Sequence, residues 1–415
     1  MKQKHLIVIG GGAAGFFTAV NAARMNPDLK VTILEKSSKL LSKVRISGGG
    51  RCNVTHACFD IEEMIRRYPR GTHFVRKAFH HFFTTNTISW FKERDVELKT
   101  EADGRMFPVT DTSDTIITCL LKEADKYKVE IKMNADVKRI AINNSEVNGE
   151  SFRVFLSDTI VLQADFICIA CGGYPKAVQF DWLKQCGLTI VEPMPSLFTF
   201  NMPGNSITDL MGVSVEKAMV KIRGTKFSEQ GPLLITHWGM SGPAILKLSA
   251  WAARELAQQA YHFTIAVSWI TSYTEQTLRD EWHLLRQQYA AQKITTRNPF
   301  QLPNRLWEHL VTSSGINAEQ RWSDLQAKQQ NALIRNLTMQ EFEVKGKTTF
   351  KEEFVTCGGI NLSEIDVNTM QSKKHTGLFF AGEVLDVDGV TGGFNFQHAW
   401  TSGWIAAKGI AGSSK

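Results

Sequence analysis

The chain has 415 residues and a mass of 46.6 kDa, which calls for two or three domains at roughly 100–200 residues each. Hydrophobic residues make up 43% and charged residues 21%, close to ordinary globular usage, which excludes disorder, collagen-like repeats and coiled coil as the main architecture. The formal net charge of +7 is a mild surplus over this length, and it fits an anionic small ligand at least as well as nucleic acid.

In chain order, Leu6–Ile9 reads as a short buried parallel strand, Ala13–Met25 as an Ala-rich helix stopped at Asn26-Pro27, and Val31–Leu34 as a second strand. Leu6–Ala23 could imitate the apolar core of a signal peptide. Gly10, Gly11, Gly12 and Gly15 would break such a helix, and no stretch reaches the ~18 apolar residues of a membrane span. Seven cysteines, an odd number between Cys52 and Cys357, form no disulfide framework and point to a reducing compartment, so a cytoplasmic location is expected.

Lys36–Asn53 reads as a long ligand-facing loop, and residues 60–130 as mostly helical with a hairpin around Gly104. Strands are expected at Val129–Val137 and Phe152–Leu162, with a polar turn at Asn143–Gly149, and again at Asp165–Ala170 before Cys171-Gly172-Gly173. From Glu192 to about Trp269 the pattern alternates like antiparallel strands, while residues 273–340 carry helical spacing. Apolar strands and glycines return after Thr349, at Phe354–Gly359 and at Leu378–Glu383.

The first chemical signal is Gly10-x-Gly12-x-x-Gly15, set between strand and helix. The first glycine allows the tight turn, the second lets a pyrophosphate approach the backbone, and the third lets helix and strand pack closely. Ala13 and Ala14 open the helix, whose N-terminal N–H groups and dipole suit phosphate. Glu35 stands about 20 residues beyond Gly15 at the end of the second strand, where its carboxylate can accept from the ribose hydroxyls of an adenosine. Lys36 follows it.

A basic, glycine-rich loop comes next, with Lys43, Ser47, Gly48, Gly49, Gly50, Arg51, Cys52 and Asn53 as candidate cofactor contacts. Val137 is a further candidate. A second glycine-bearing strand end follows at Ala170 and Gly172, and a third at Gly382 and Glu383. Three such ends spread along the chain suit a long cofactor, FAD, better than NAD. No second Gly-x-Gly-x-x-Gly appears to support a separate nicotinamide domain. Near the C-terminus, Gly392-Gly393-Phe394-Asn395 leads into an apolar helix expected from about Gln397 to Ile410. The competing reading of that segment is an ordinary Gly-rich helix start.

These stretches carry a resemblance. Ile9–Gly15, Lys43–Asn53, Thr236–Pro243, Val355–Ile360 and Phe380–Asn395 occur in one order along the chain, which is similar to the bacterial NAD(P)/FAD-dependent oxidoreductase family of flavoproteins. That family includes BaiN-type bile-acid reductases and aminoacetone-oxidase-like members. The resemblance implies an α/β fold: a Rossmann-like FAD-binding domain of the two-dinucleotide-binding type, residues 1–191 and 350–415, interrupted by a β-rich insert domain. The insert is expected over 192–272 and 341–349, with a small helical subdomain over 273–340. In such flavoproteins the C-terminal helix aims its N-terminus at the N1/C2 carbonyl edge of the flavin, stabilising charge that develops when N5 takes a hydride. This chain departs from the family in lacking a longer Gly/Ser-rich stretch after Gly173, and in having His398 where many members have Trp.

Other candidates divide between chemistry and packing. Arg51 and Asn53 are read as cofactor contacts, Cys52 as a small packing residue ahead of a redox thiol. Cys168-x-x-Cys171 is read as structural, because positions three apart on a strand face opposite sides. The basic run Arg66, Arg67, Arg70, Arg76, Lys77, His80 and His81 reads as a solvated helix face ahead of a phosphate or nucleic-acid site. His237, in a Gly-rich bend, is the candidate proton donor or substrate contact, balanced against a purely packing role. No metal-ligand spacing stands out. The functional expectation is an FAD-dependent oxidoreductase reducing a small organic substrate with NAD(P)H. The alternatives are an amine-type oxidase passing electrons to O₂ and a flavin-bound RNA-associated protein.

Overall fold

The computed structural model describes residues 3–145, 149–348 and 355–414. The chain forms two compact units, Met1–Ser196 with Lys351–Lys415, and Leu197–Phe350. Residues 349–354, where the outer domain was expected to resume and where Phe354 lies, fall outside the described residues, as do residues 146–148 of the expected Asn143–Gly149 turn.

The first unit is built on a seven-stranded sheet. Its parallel core runs Leu378–Phe380, Phe166–Ile169, His5–Ile9, Lys30–Leu34 and Glu130–Lys132, in register Leu6↔Phe166 and Leu6↔Val31. The strands are short and almost entirely buried, as their unbroken apolar runs require. Gln371–Ser372 and Ile365–Asp366 extend the sheet antiparallel at one edge. Two helices, Ala13–Met25 and Phe394–Ser413, pack on each other and on this sheet. Small side chains make that approach possible, since a Cβ on Gly403 would lie 3.0 Å from the Ala14 carbonyl oxygen.

Several boundaries differ from the sequence reading for local reasons. The strand expected over Val129–Val137 is confined to Glu130–Lys132, because Asn134 takes a positive φ and the chain turns back, with the Ala135 N–H donating to the Glu35 carbonyl at 2.9 Å. The Phe152–Leu162 segment is two strands, Gly149–Phe155 and Val161–Ala164, joined by a turn closed from Leu156 N–H to Ile160 O. The long loop Lys36–Asn53 contains a helix, Ser42–Gly50, interrupted by extended backbone at Ser47 and left-handed backbone at Gly48 and Gly49. The C-terminal helix begins at Phe394, three residues before its expected start.

The second unit centres on a seven-stranded antiparallel sheet containing Ser214–Ile222, Ser228–Thr236, His262–Ser268 and Gln340–Lys345. Helices Glu275–Gln288, Asn304–Ser313 and Ala327–Met339 share one hydrophobic core with it, anchored by buried Trp269, Trp282, Trp307 and Trp322. The strand Ile190–Pro195 pairs with Thr356–Ile360 in the first unit, so the division between units falls after Ser196. Among the described residues no helix is long and apolar enough to cross a membrane.

Candidate functional site

Gly10, Glu35 and Ala170 come directly after, and Gly382 two residues after, the carboxyl ends of parallel strands, where open α/β sheets place their ligands. Gly10 has φ +117°, and a Cβ there would sit 2.3 Å from the Ala170 carbonyl oxygen. A Cβ on Gly15 would lie 1.9 Å from Gly10 O, so both positions require glycine. Gly12 is the opposite case. It caps the first helix with no side-chain bond, and a Cβ on it would meet nothing within 4 Å. The first intrahelical bond runs from Phe16 N–H to Gly12 O, so the helix's own bonding leaves the preceding N–H groups available to an anion.

Glu35 is held in place beside this turn. Its carboxylate accepts from Gly11 N–H at 2.8 Å and from Ser37 N–H at 2.9 Å. The bend that carries Val137 leans on the same residue through Ala135. Lys36 Nζ lies 5.2 Å from the Tyr174 ring centre. Gly382 meets the first helix at Ala14, and its N–H donates to Ser402 Oγ at 2.9 Å. Glu383 is fixed by Lys43 Nζ at 2.5 Å and by Thr356 N–H at 2.9 Å. Gly172, with φ +75°, lies beside Glu383.

A second cluster surrounds the start of the C-terminal helix. The Asn53 side chain is buried, donating from Nδ2 to Thr55 O and accepting at Oδ1 from Gly393 N–H, both at 3.0 Å. Gly393 has φ +93°, and a Cβ on it would strike the Thr55 carbonyl at 2.6 Å. Asn395 brackets the Gly389 peptide, accepting from its N–H and donating to its carbonyl, each at 2.8 Å. Phe394 is packed against His56, with ring centres 4.7 Å apart, and its carbonyl accepts from Tyr68 OH at 2.7 Å. Gly392 is pinned by His56 Nδ1, 3.0 Å from its carbonyl oxygen. The glycine loop is therefore braced on several sides, as a surface that orients a rigid ring must be.

Other candidates are placed differently. The Arg51 guanidinium pairs with Glu101 at 2.5 Å and Asp111 at 3.5 Å, and stacks over Phe107 at 4.0 Å. Its charge is committed to carboxylates, while its Nε donates to Gly48 O in the kink at 3.3 Å. Cys52 is fully buried, and burial pushes its thiol up to about 12, as for an inert packing residue. Burial likewise pushes Cys168 up to about 12, and Cys171 falls beyond the end of the strand expected to carry both. His237 is exposed at the turn between Ser228–Thr236 and Gly239–Ser241 of the second unit, its ring edge-on to Trp238 at 4.4 Å.

Sequence reasoning missed one buried network. Asp388, with no exposure, is bracketed by Arg70, whose Nε donates to Oδ1 at 2.5 Å and whose Nη2 donates to Oδ2. Ser196 Oγ donates to the same Oδ2 at 2.7 Å. This triad anchors the segment entering the Gly389–Asn395 loop. Its only sequence signal was Arg70 in a basic run, with nothing to identify a partner so distant in the chain.

The residues present fit FAD. Gly12 faces open space at an uncapped helix N-terminus, the Glu35 carboxylate is fixed beside that turn, and a braced glycine loop precedes a second helix start. This arrangement defines a Rossmann-type FAD-binding domain, and the protein is an FAD-dependent oxidoreductase. The chain belongs to the HI0933-like protein Rossmann domain family, whose profile matches residues 4–409. It is 29% identical over 98% of its length to a ribosomal RNA dihydrouridine synthase of Haemophilus influenzae, covering 98% of that protein. It is 26% identical to the 3-dehydro-bile acid delta(4,6)-reductase of Clostridium scindens, over 97% of this chain and 98% of the relative. Among solved structures, a 3-ketosteroid delta1-dehydrogenase from Sterolibacterium denitrificans shares the fold, with a TM-score of 0.52, 12% identity, and coverage of 98% of this chain and 99% of that one.

Proposed function

We propose that this protein saturates a carbon–carbon double bond conjugated to a carbonyl, with NAD(P)H as electron donor and the uracil ring of an RNA uridine as substrate. The observation that carries the reading is the chemistry shared by two relatives matched almost end to end. Dihydrouridine arises from uridine by saturation of C5=C6, conjugated to the C4 carbonyl, and a 3-oxo bile acid with 4,6 unsaturation is the vinylogous case. RNA is preferred because the rRNA-modifying relative has the higher identity. The sequence alone favours a small organic molecule over nucleic acid, and the likeness to an rRNA-acting relative brings RNA forward.

When bound, FAD supplies hydride transfer at N5. The chain's part is to hold and polarise. The Gly12 turn and first helix would hold the pyrophosphate, Glu35 would accept from the ribose, and the N-terminus of the Phe394–Ser413 helix would favour negative charge on the ring. Asn53 and Asn395 keep that helix start in one conformation.

The test is incubation of holoenzyme and NADPH, without oxygen, with uridine-containing rRNA fragments and separately with an unsaturated 3-oxo bile acid. Gain of two hydrogens by uridine supports the reading. Gain by the bile acid alone moves the substrate to a small enone, and turnover only with an amine and O₂ overturns the reductase assignment.

A further inference from the structure

The basic residues between Arg66 and His81 separate into two sets. Arg70 is committed to Asp388, and Arg76 pairs with Glu62 at 2.7 Å. His73 and Lys77 instead line a groove of about 660 Å³ beside the helix Thr72–Phe79. That volume lies within the ~300–1,000 Å³ of sites that enclose a ligand. The opposite wall is the segment from Leu362 to Lys373. Buried Phe74 and Ile365, with half-buried Val367, give the groove an apolar floor.

The charge around this floor is positive. Lys77 has no carboxylate partner among the described residues, and Lys373 Nζ donates to a neutral acceptor, Ser363 O, at 2.8 Å. Asp366 also lines the groove, but its carboxylate is turned into its own loop. It accepts from Asn368 N–H at 3.0 Å, Asn368 Nδ2 at 3.1 Å and Thr369 Oγ1 at 3.0 Å. Gly71, which lines the groove, abuts Val387, two residues before Gly389.

We infer that this groove holds single-stranded RNA flanking the reacting uridine, with phosphates on Lys77, Lys373 and His73 and a base against Phe74, Ile365 and Val367. Cationic walls with an apolar or aromatic floor are how proteins hold unpaired strands with little sequence preference. The inference rests on the RNA reading above and adds where the strand lies.

The test is fluorescence anisotropy of a short fluorescein-labelled, uridine-containing single-stranded RNA on the FAD-loaded protein across a salt series. The double variant Lys77→Ala/Lys373→Ala is expected to bind at least about 10-fold more weakly. Its log–log salt slope should be about 1.4 shallower, at about 0.7 per lost phosphate contact. Lys77→Arg/Lys373→Arg should restore binding, and Lys122→Ala, exposed on the helix Asp114–Lys126, should change nothing. With RNA as substrate, KM should rise in the alanine double variant while kcat at saturation persists. Wild-type binding matched by the alanine double variant overturns the groove and leaves the RNA reading standing. A wild-type protein that binds no RNA at any salt overturns both, and that result comes from the wild-type arm alone.

Discussion

His398 is the residue whose replacement most sharply tests the packing described above. Its imidazole is 2% exposed on the C-terminal helix, and neither ring nitrogen has a hydrogen-bond partner among the described residues. Burial lowers its pKa from 6.5 to about 4, with the Gly382 backbone opposing only in part. The folded state therefore keeps this ring neutral, while the unfolded chain binds a proton near pH 6.5. Stability from this site is full above pH 6.5, is lost as pH falls towards 4, and is flat below that. Over that window the loss approaches about 3 kcal/mol, at 1.36 kcal/mol per tenfold change in proton affinity. His398→Leu removes the titrating group and its unpaired nitrogens at similar volume. Urea unfolding followed by tryptophan fluorescence at a series of pH values should show the variant gaining on wild type by about 3 kcal/mol between pH 7 and 4. Parallel curves for the two proteins across that range would refute the argument.

Three further outcomes are expected. Gly15→Ala places a Cβ 1.9 Å from Gly10 O, so the purified protein should lose most of its flavin absorbance and about 1–3 kcal/mol of stability, read by thermal melting. Asp388→Asn strips the carboxylate from the largely buried Arg70 and should cost about 3–5 kcal/mol in urea unfolding; a cost below about 1 kcal/mol would show that the network is not what holds the Gly389 loop. His237→Ala, at an exposed turn of the second unit, should retain bound flavin and its reduction by NADPH, and loss of flavin absorbance from the purified variant would contradict this.

The parts of the site set by local sterics were legible in the amino acids. Gly15 could be read because a Cβ there would strike Gly10 O, a constraint contained within six residues, and Gly10 because its φ of +117° favours glycine, although the side chain it excludes would meet the distant Ala170 carbonyl. The short apolar runs of the parallel strands were legible because helices must cover such a sheet. What stayed hidden depends on distant partners. Arg51 looked like a cofactor contact until Glu101 and Asp111 were seen to take its charge. Arg70 looked like one of many surface cations, although its partner is the buried Asp388. His56 drew no attention in sequence, because only the fold brings its ring onto Phe394 and the Gly392 carbonyl. The helix over Ser42–Gly50 was missed for a different reason. Three successive glycines argue against helix, and the backbone honours that only at its kink.

In the proposed function, both ends of the chain build one FAD site that accepts electrons from a nicotinamide and passes them to a conjugated double bond. Anaerobic stopped-flow mixing of the purified protein with NADPH tests it most directly. The expected result is a yellow protein whose flavin absorbance bleaches on mixing and returns when a conjugated substrate is added. A protein that carries no flavin absorbance would contradict the site itself, and one that bleaches only with an amine would contradict the reductase reading.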